Sequence, residues 1–172
     1  MKLYAYFRSS AAYRVLIALN LKGLAYEVVP VDLRSEQHLG AEYKALNPQG
    51  LVPALVDDGR VLIQSPAIIE WLEECYPNPA LLPTDPEARA RVRALAAIVG
   101  CDVHPVNNRR ILEALRHDFG ADDAFPIGDL DEILLPGITH WNHPAFFAYF
   151  STGCSHAPHH VAQAVAHQHG GD

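Results

Sequence analysis

NPQGLVPALVDDGRVLIQSP, residues 47–66, decides how the first half of the chain folds. Val52 to Val56 and Arg60 to Ile63 are two short β-rich runs around Asp57-Asp58-Gly59, and an Asp-Gly turn between apolar runs signals a β-hairpin. Asn47-Pro48 ends the element ahead of the hairpin. Ser65-Pro66 opens the element after it, with Ser65 as N-cap and Pro66 in the first turn of a helix reaching Cys75. Upstream, residues 35–46 have helical spacing and residues 26–31 are rich in β-branched side chains, which predicts a strand. Arg8, Ser9 and Ser10 open another helix, whose apolar stripe is Val15, Leu16, Leu19 and Leu21 and whose stop is Gly23. Residues 2–7 read as a strand with Leu3, Ala5 and Phe7 on one face and Tyr4 and Tyr6 on the other. The order is β-α-β-α-β-β-α.

Downstream, four prolines (Pro77, Pro79, Pro83, Pro86) mark a linker. Residues 87–116 then predict one long amphipathic helix with Ala88, Val92, Leu95, Val99 and Val103 on its buried stripe and a kink at Pro105.

At 172 residues, 49% hydrophobic and 19% charged, the chain has an ordinary globular composition. A net charge of −7 argues against general nucleic-acid binding. No apolar run has the length of a membrane span, and the N-terminus has no signal-peptide core, so no membrane partner is expected. Three scattered cysteines (Cys75, Cys101, Cys154) fit reduced thiols and a cytoplasmic location. The charge is uneven. All 13 Lys and Arg lie between Lys2 and Arg116, with 13 acidic residues among them, whereas residues 117–172 hold seven acidic residues and eight of the ten histidines. The chain therefore reads as two parts joined near Gly120 to Phe125.

Three features of the first part point to chemistry. Ser9 and Ser10 follow a strand and begin a helix, where N–H groups and the dipole favour an anion and a hydroxyl lowers a thiol's pKa. The plain alternative is a helix cap. Val52-Pro53 precedes a strand: a cis bond turns the Val52 backbone outward for an extended peptide, whereas a trans proline merely starts the strand. Gln64-Ser65 opens a further helix and suits a carboxylate, again with a simple cap as the alternative.

Together these residues resemble the zeta class of glutathione transferases, the maleylacetoacetate and maleylpyruvate isomerases. The matching motifs are residues 8–15 (RSSAAYRV), 47–55 (NPQGLVPAL), 64–74 (QSPAIIEWLEE), 81–83 (LLP) and 101–110 (CDVHPVNNRR). The Asn107-Asn108-Arg109-Arg110 form looks most like the bacterial maleylpyruvate isomerases. The resemblance implies an α/β fold, with a thioredoxin-like N-terminal domain (1–79), a linker (80–86) and a truncated all-α glutathione-transferase C-terminal domain (87–120). It implies glutathione as cofactor, held by Ser9 and Ser10 at the thiol, His38 toward the glycine end, Val52 and Pro53 at the peptide, and Gln64 and Ser65 at the γ-glutamyl carboxylate. Asp102, His104, Asn108, Arg109 and Arg110 match the segment facing a second subunit and a small dicarboxylate substrate, in a homodimer. Ser9, Ser10, Arg109 and Arg110 are the implied catalytic set, since a guanidinium fork suits carboxylates. The implied reaction is a glutathione-assisted cis–trans isomerisation in aromatic-compound catabolism. The chain departs from the pattern at Ala11 and Ala12, where many members have Cys or Thr and then Ser, removing a second hydrogen-bond donor.

Residues 121–172 do not continue that family. Residues 129–150 resemble a short stretch of pyridoxal-phosphate group II decarboxylases, but the Schiff-base lysine that chemistry needs is missing, because Lys2, Lys22 and Lys44 are the only lysines. Cys154, His156, His159, His160, His167 and His169 invite a zinc reading, yet they lack the paired spacing of a known module, so no metal site is assigned. Two functions are expected in turn: the isomerase, or a non-enzymatic glutathione-binding remnant.

Overall fold

In the computed structural model, which describes residues 1–106 and 109–120, the first strand, β1, spans Lys2–Ala5 and feeds α1, Ser10–Leu21. β2 (Glu27–Pro30) runs parallel to β1, with Leu3 opposite Val28. A 3-10 turn at Gln37–Leu39 and α2 (Ala41–Leu46) come next. β3 (Ala54–Asp57) pairs antiparallel with the other side of β1, and β4 (Arg60–Ile63) pairs antiparallel with β3. The sheet order is β2-β1-β3-β4, and α3 (Ser65–Cys75) comes after β4. The hairpin turn places Asp58 and Gly59 at φ 47° and 77°, the two positive values that a two-residue turn matched to strand twist needs.

Period-two alternation sorts the strands between two cores. Leu3, Ala5 and Leu55 meet Ala12, Val15, Ala18 and Leu19 of α1 and Ile68 and Leu72 of α3. On the opposite face, Val31, Ala54 and Tyr43 of α2 form a smaller cluster with Tyr4 and Ile63 packed against it.

Several expectations need correction. β1 stops at Ala5, because the chain turns there to let Ser9 N–H reach the Tyr6 carbonyl at 2.9 Å, and Phe7 is 65% exposed. Leu21 is 50% exposed, whereas Lys22, three residues beyond Leu19, takes the inward position. Gly23 does end α1: at φ +64° it donates to Asn20 while Leu24 donates to Leu19, a Schellman closure. The helix expected over 35–46 is broken at Gly40, which is extended at φ −65°, ψ 154°. Ahead of it, Asp32 and Gln37 close a loop on each other (Gln37 N–H to Asp32 O 3.0 Å, Asp32 N–H to Gln37 Oε1 2.8 Å), taking groups a helix would use. The N-cap of α3 is Gln64, and Ser65 is its first helical residue.

The described residues divide into two compact units between Leu82 and Pro83. In the second, Asp85 caps α4 (Pro86–Ala97) by accepting from Ala88 N–H at 2.8 Å. The single long helix is instead interrupted by a π-helical turn, Ile98–Val103, before α5 (His104–Val106) and α6 (Arg109–Phe119). Pro105 has no N–H for the Cys101 carbonyl and its ring crowds that group, and a wider turn just ahead of it relieves both problems. The stripe Ala88, Val92, Leu95, Val99 and Val103 is half-buried rather than buried, because the described part of this unit offers no sheet to close over it. Among the described residues, no helix is long and apolar enough to cross a membrane. The decarboxylase-like stretch and the His-rich tail lie outside them.

Candidate functional site at one end of the sheet

The register brings the first set of candidate residues to one edge. Tyr4 pairs with Ala54 and Ala54 with Ile63, so β1 and β4 end where β3 begins, and β2, parallel to β1, ends there too. Residues just after β1 (Ser9, Ser10), on the connection after β2 (His38), just before β3 (Val52, Pro53) and just after β4 (Gln64, Ser65) therefore share that end.

Ser9 is the N-cap of α1, at φ −83°, ψ 110°, and its Oγ accepts from Ala12 N–H at 3.2 Å. A hydroxyl carries two acceptor pairs and one donor, and capping as an acceptor leaves the O–H proton for a ligand. Cap and ligand contact are thus compatible here. Ser10 is half-buried as the first residue of α1. Ala12 is wholly inside the core cluster, so its methyl group faces Leu3 and its neighbours, and the donor expected to be lost there would have pointed into the core.

The loop 47–53 forms the middle of the site. Pro53 is buried, the Val52–Pro53 bond is cis, and half-buried Val52 lies ahead of the first ladder pair. Gly50 sits at φ +61°, and a Cβ there would lie 3.1 Å from the His38 carbonyl oxygen and 3.2 Å from Leu39 Cδ2. His38 is half-buried in the 3-10 turn against this loop. Gln49 Oε1 accepts from Gln64 Nε2 at 2.7 Å, joining the loop to α3.

Gln64 holds φ 68°, ψ 109°, a region that costs a non-glycine residue on the order of 1–3 kcal/mol and that persists where the surroundings impose it, often at ligand sites. The Gln64 side chain makes no capping bond to α3, and Pro66 has no N–H, so the Ser65 and Ala67 N–H groups form an anion-suited helix start. Ser65 itself is buried.

The other candidates belong to the second unit. Asp102 is exposed in the π-helical turn, His104 opens α5 half-buried, and Arg109 and Arg110 open α6, with Arg110 exposed. Asn108 lies outside the described residues. Sequence reasoning missed Tyr43 and assigned no role to Asn47, Gln49 and Gly50 of the 47–55 motif, which shape the loop from within. The available signal was an Asn ending a helix ahead of Pro48 and a Gly where the chain must turn. It also missed Lys22, because the partners that bury it lie more than fifty residues away.

Residues 8–75 match the family described as the glutathione S-transferase N-terminal domain. This stretch is a glutathione S-transferase N-terminal domain. The chain carrying it is 67% identical over 124 residues to maleylpyruvate isomerase of Ralstonia sp, covering 72% of this chain and 58% of the relative. It is 59% identical over 126 residues to maleylacetoacetate isomerase of Pseudomonas aeruginosa, covering 72% and 59%. Among solved structures, a holo maleylpyruvate isomerase, a bacterial zeta-class glutathione S-transferase, superposes with a TM-score of 0.71 at 67% identity, over 72% of this chain and 58% of that one. A maleylacetoacetate isomerase from Methylobacterium extorquens, solved with malonate and GSH, gives 0.74 at 44% identity, over 81% and 66%. The chain thus spans about 58% of the length of the first of these relatives. These relatives are transferases and isomerases, and the pyridoxal-phosphate resemblance of residues 129–150 gains nothing from them.

Proposed function

We propose that the protein is a glutathione-dependent cis–trans isomerase of a maleyl-substituted 2-keto acid, with maleylpyruvate ahead of maleylacetoacetate. The observation that carries this reading is the convergence, at one sheet end, of a capping Ser9 with its O–H to spare, the Val52 edge and the start of α3. These features fit glutathione group by group: a hydroxyl donor for a thiolate, an extended backbone for a peptide, and helix N–H groups for a carboxylate. The strained backbone of Gln64 at that helix start supports a ligand site there.

When bound, glutathione supplies a thiolate for reversible addition to the conjugated alkene. Ser9, with Ser10 beside it, donates a hydrogen bond that keeps the sulfur ionised. Val52 and Pro53 align the main chain, His38 lies toward the glycine end, and Gln64 and Ser65 hold the γ-glutamyl carboxylate. The family resemblance of Asp102, His104 and Asn108 assigns them to contacts with a second subunit in a homodimer. Arg109 and Arg110 pair with the dicarboxylate and with the charge that develops during the reaction. The reaction is placed in the cytoplasm, in the breakdown of aromatic compounds.

The test is isomerisation of maleylpyruvate with and without glutathione, in the wild type and Ser9→Ala. Turnover should need glutathione and fall about 10- to 100-fold in the variant, as expected for one lost hydrogen bond to a charged sulfur. The absorbance titration of the bound thiol should move to higher pH in Ser9→Ala. Folded protein that binds glutathione without turnover would leave a binding domain only, and folded protein that does not bind it would overturn the reading.

A further inference from the structure

We infer that Tyr43 and Asn47 are positioning residues that set the direction of the Val52 N–H toward the main chain of bound glutathione. This rests on the proposed glutathione site and adds Tyr43, which lies outside every quoted motif, and a role for Asn47, the first residue of the 47–55 motif. The Leu51 carbonyl oxygen accepts from Tyr43 OH and from Asn47 Nδ2, both at 2.7 Å. A carbonyl oxygen has two lone pairs, so its acceptor capacity is filled and its direction is held from two sides. Both donors are buried: Asn47 is 1% exposed, and Tyr43 lies in the cluster with Val31 and Ala54.

The consequence comes from peptide geometry. The two cis bonds among the described residues are Val52–Pro53 and Asn78–Pro79, so the Leu51–Val52 peptide is trans and planar, with C=O and N–H opposed. A carbonyl drawn inward to Tyr43 and Asn47 turns the Val52 N–H away from that cluster. Val52 precedes the first ladder pair, so its N–H is not spent within the sheet. Asn47 also closes the turn behind it: its Oδ1 accepts from Gln49 N–H at 3.1 Å and its backbone oxygen from Gly50 N–H at 2.9 Å. Burial pushes the Tyr43 phenol up to about 12, against the lowering contact with Asn47 and with a further push from Tyr4, so the donated proton stays on oxygen at any ordinary pH.

The experiment uses the full chain, with Tyr43→Phe and Asn47→Ala, at a temperature well below the melting point of each. Two quantities are read: glutathione affinity by calorimetry, and the response of the Val52 backbone amide to glutathione by 15N NMR. Tyr43→Phe keeps the ring and removes one hydrogen bond, so affinity should fall about fivefold or more while the far-UV spectrum is unchanged. The Val52 amide response should shrink with it, which a general loss of stability would not produce. Asn47→Ala should fall further, and if it does not fold, Tyr43→Phe decides alone. Wild-type affinity and a wild-type Val52 response in a folded variant would overturn the inference while leaving glutathione binding intact. So would glutathione binding to the wild type without any Val52 response. Failure of the wild type to bind glutathione at all would overturn the functional reading, and this inference with it.

Discussion

Lys22→Met should be strongly damaging to the first unit, and its size is set by the contacts of one ammonium group. The Lys22 side chain is 0% exposed and its Nζ donates to Glu73 Oε2 at 2.6 Å, the Tyr76 carbonyl at 2.7 Å and the Pro79 carbonyl at 3.0 Å. All three of its donors are used. Glu73, 8% exposed, also accepts from Leu81 N–H at 3.1 and 2.9 Å and from Leu82 N–H at 3.0 Å. The pair thus ties the end of α1 to the end of α3 and to the chain entering the second unit. Methionine fills the space but leaves a buried carboxylate without its cation, a loss of about 3–5 kcal/mol. Against a typical total of about 5–15 kcal/mol this is a large share. With a urea slope of about 2 kcal/mol per molar, the midpoint should fall by about 2 M. The double variant Lys22→Met, Glu73→Leu removes the stranded charge, so it should be less damaged than the sum of the single changes by about 2 kcal/mol. It does not return to the wild type, because the Leu81 and Leu82 amides lose their acceptor. pH provides a second arm. Burial alone would raise the Glu73 carboxyl, but the bonds from Lys22, Leu81 and Leu82 outweigh it and hold the group below its ordinary value of 4.5. A group depressed in the folded state stabilises the protein fully above its unfolded pKa and loses that contribution as pH falls through the folded value. The gap between wild type and Lys22→Met should therefore be widest near neutral pH and narrow below about pH 4.5. Urea titrations followed by circular dichroism at fixed protein concentration read both. A loss under about 1 kcal/mol, or single effects that simply add, would refute the reasoning.

Two further changes probe the site's backbone. Gly50→Ala adds a methyl group 3.1 Å from the His38 carbonyl oxygen at a φ of +61°, and should cost about 1–3 kcal/mol by thermal melting together with weaker glutathione binding; an unchanged melting point would show that the loop adapts freely. Gln64→Gly relieves the positive φ and should raise stability by up to about 1 kcal/mol while weakening glutathione binding, since the link to Gln49 is lost; a destabilised variant would mean that the Gln64 conformation is not strained.

Much of the local structure was legible because its causes are local. Asp58-Gly59 supplies the two positive φ values of a tight hairpin, and Gly23 supplies the left-handed stop of α1. The pattern failed where distant contacts compete with it. The Asp32–Gln37 loop and Gly40 break the helical spacing of residues 35–46, and Pro105 acts through the π-helical turn just ahead of it. Lys22 was invisible as a core residue because a lysine is buried only when its partners, here more than fifty residues away, are in place. The shared role of Tyr43 and Asn47 has no sequence signal, since their target is a backbone carbonyl that carries no side-chain signature.

The order of strands and helices through α3, the turn chemistry and the family pattern of Ser9, Val52-Pro53 and Gln64-Ser65 are readable in the sequence, because each depends on φ preferences, capping or period within a few residues. That these segments share one end of the sheet follows from strand pairing alone. That required β1 to lie centrally, with β2 parallel on one side and β3 antiparallel on the other, so that three strands end where one begins. The tertiary structure also decided which way the Val52 N–H faces, because a peptide plane has no preferred direction until both lone pairs of its carbonyl are claimed from inside the fold.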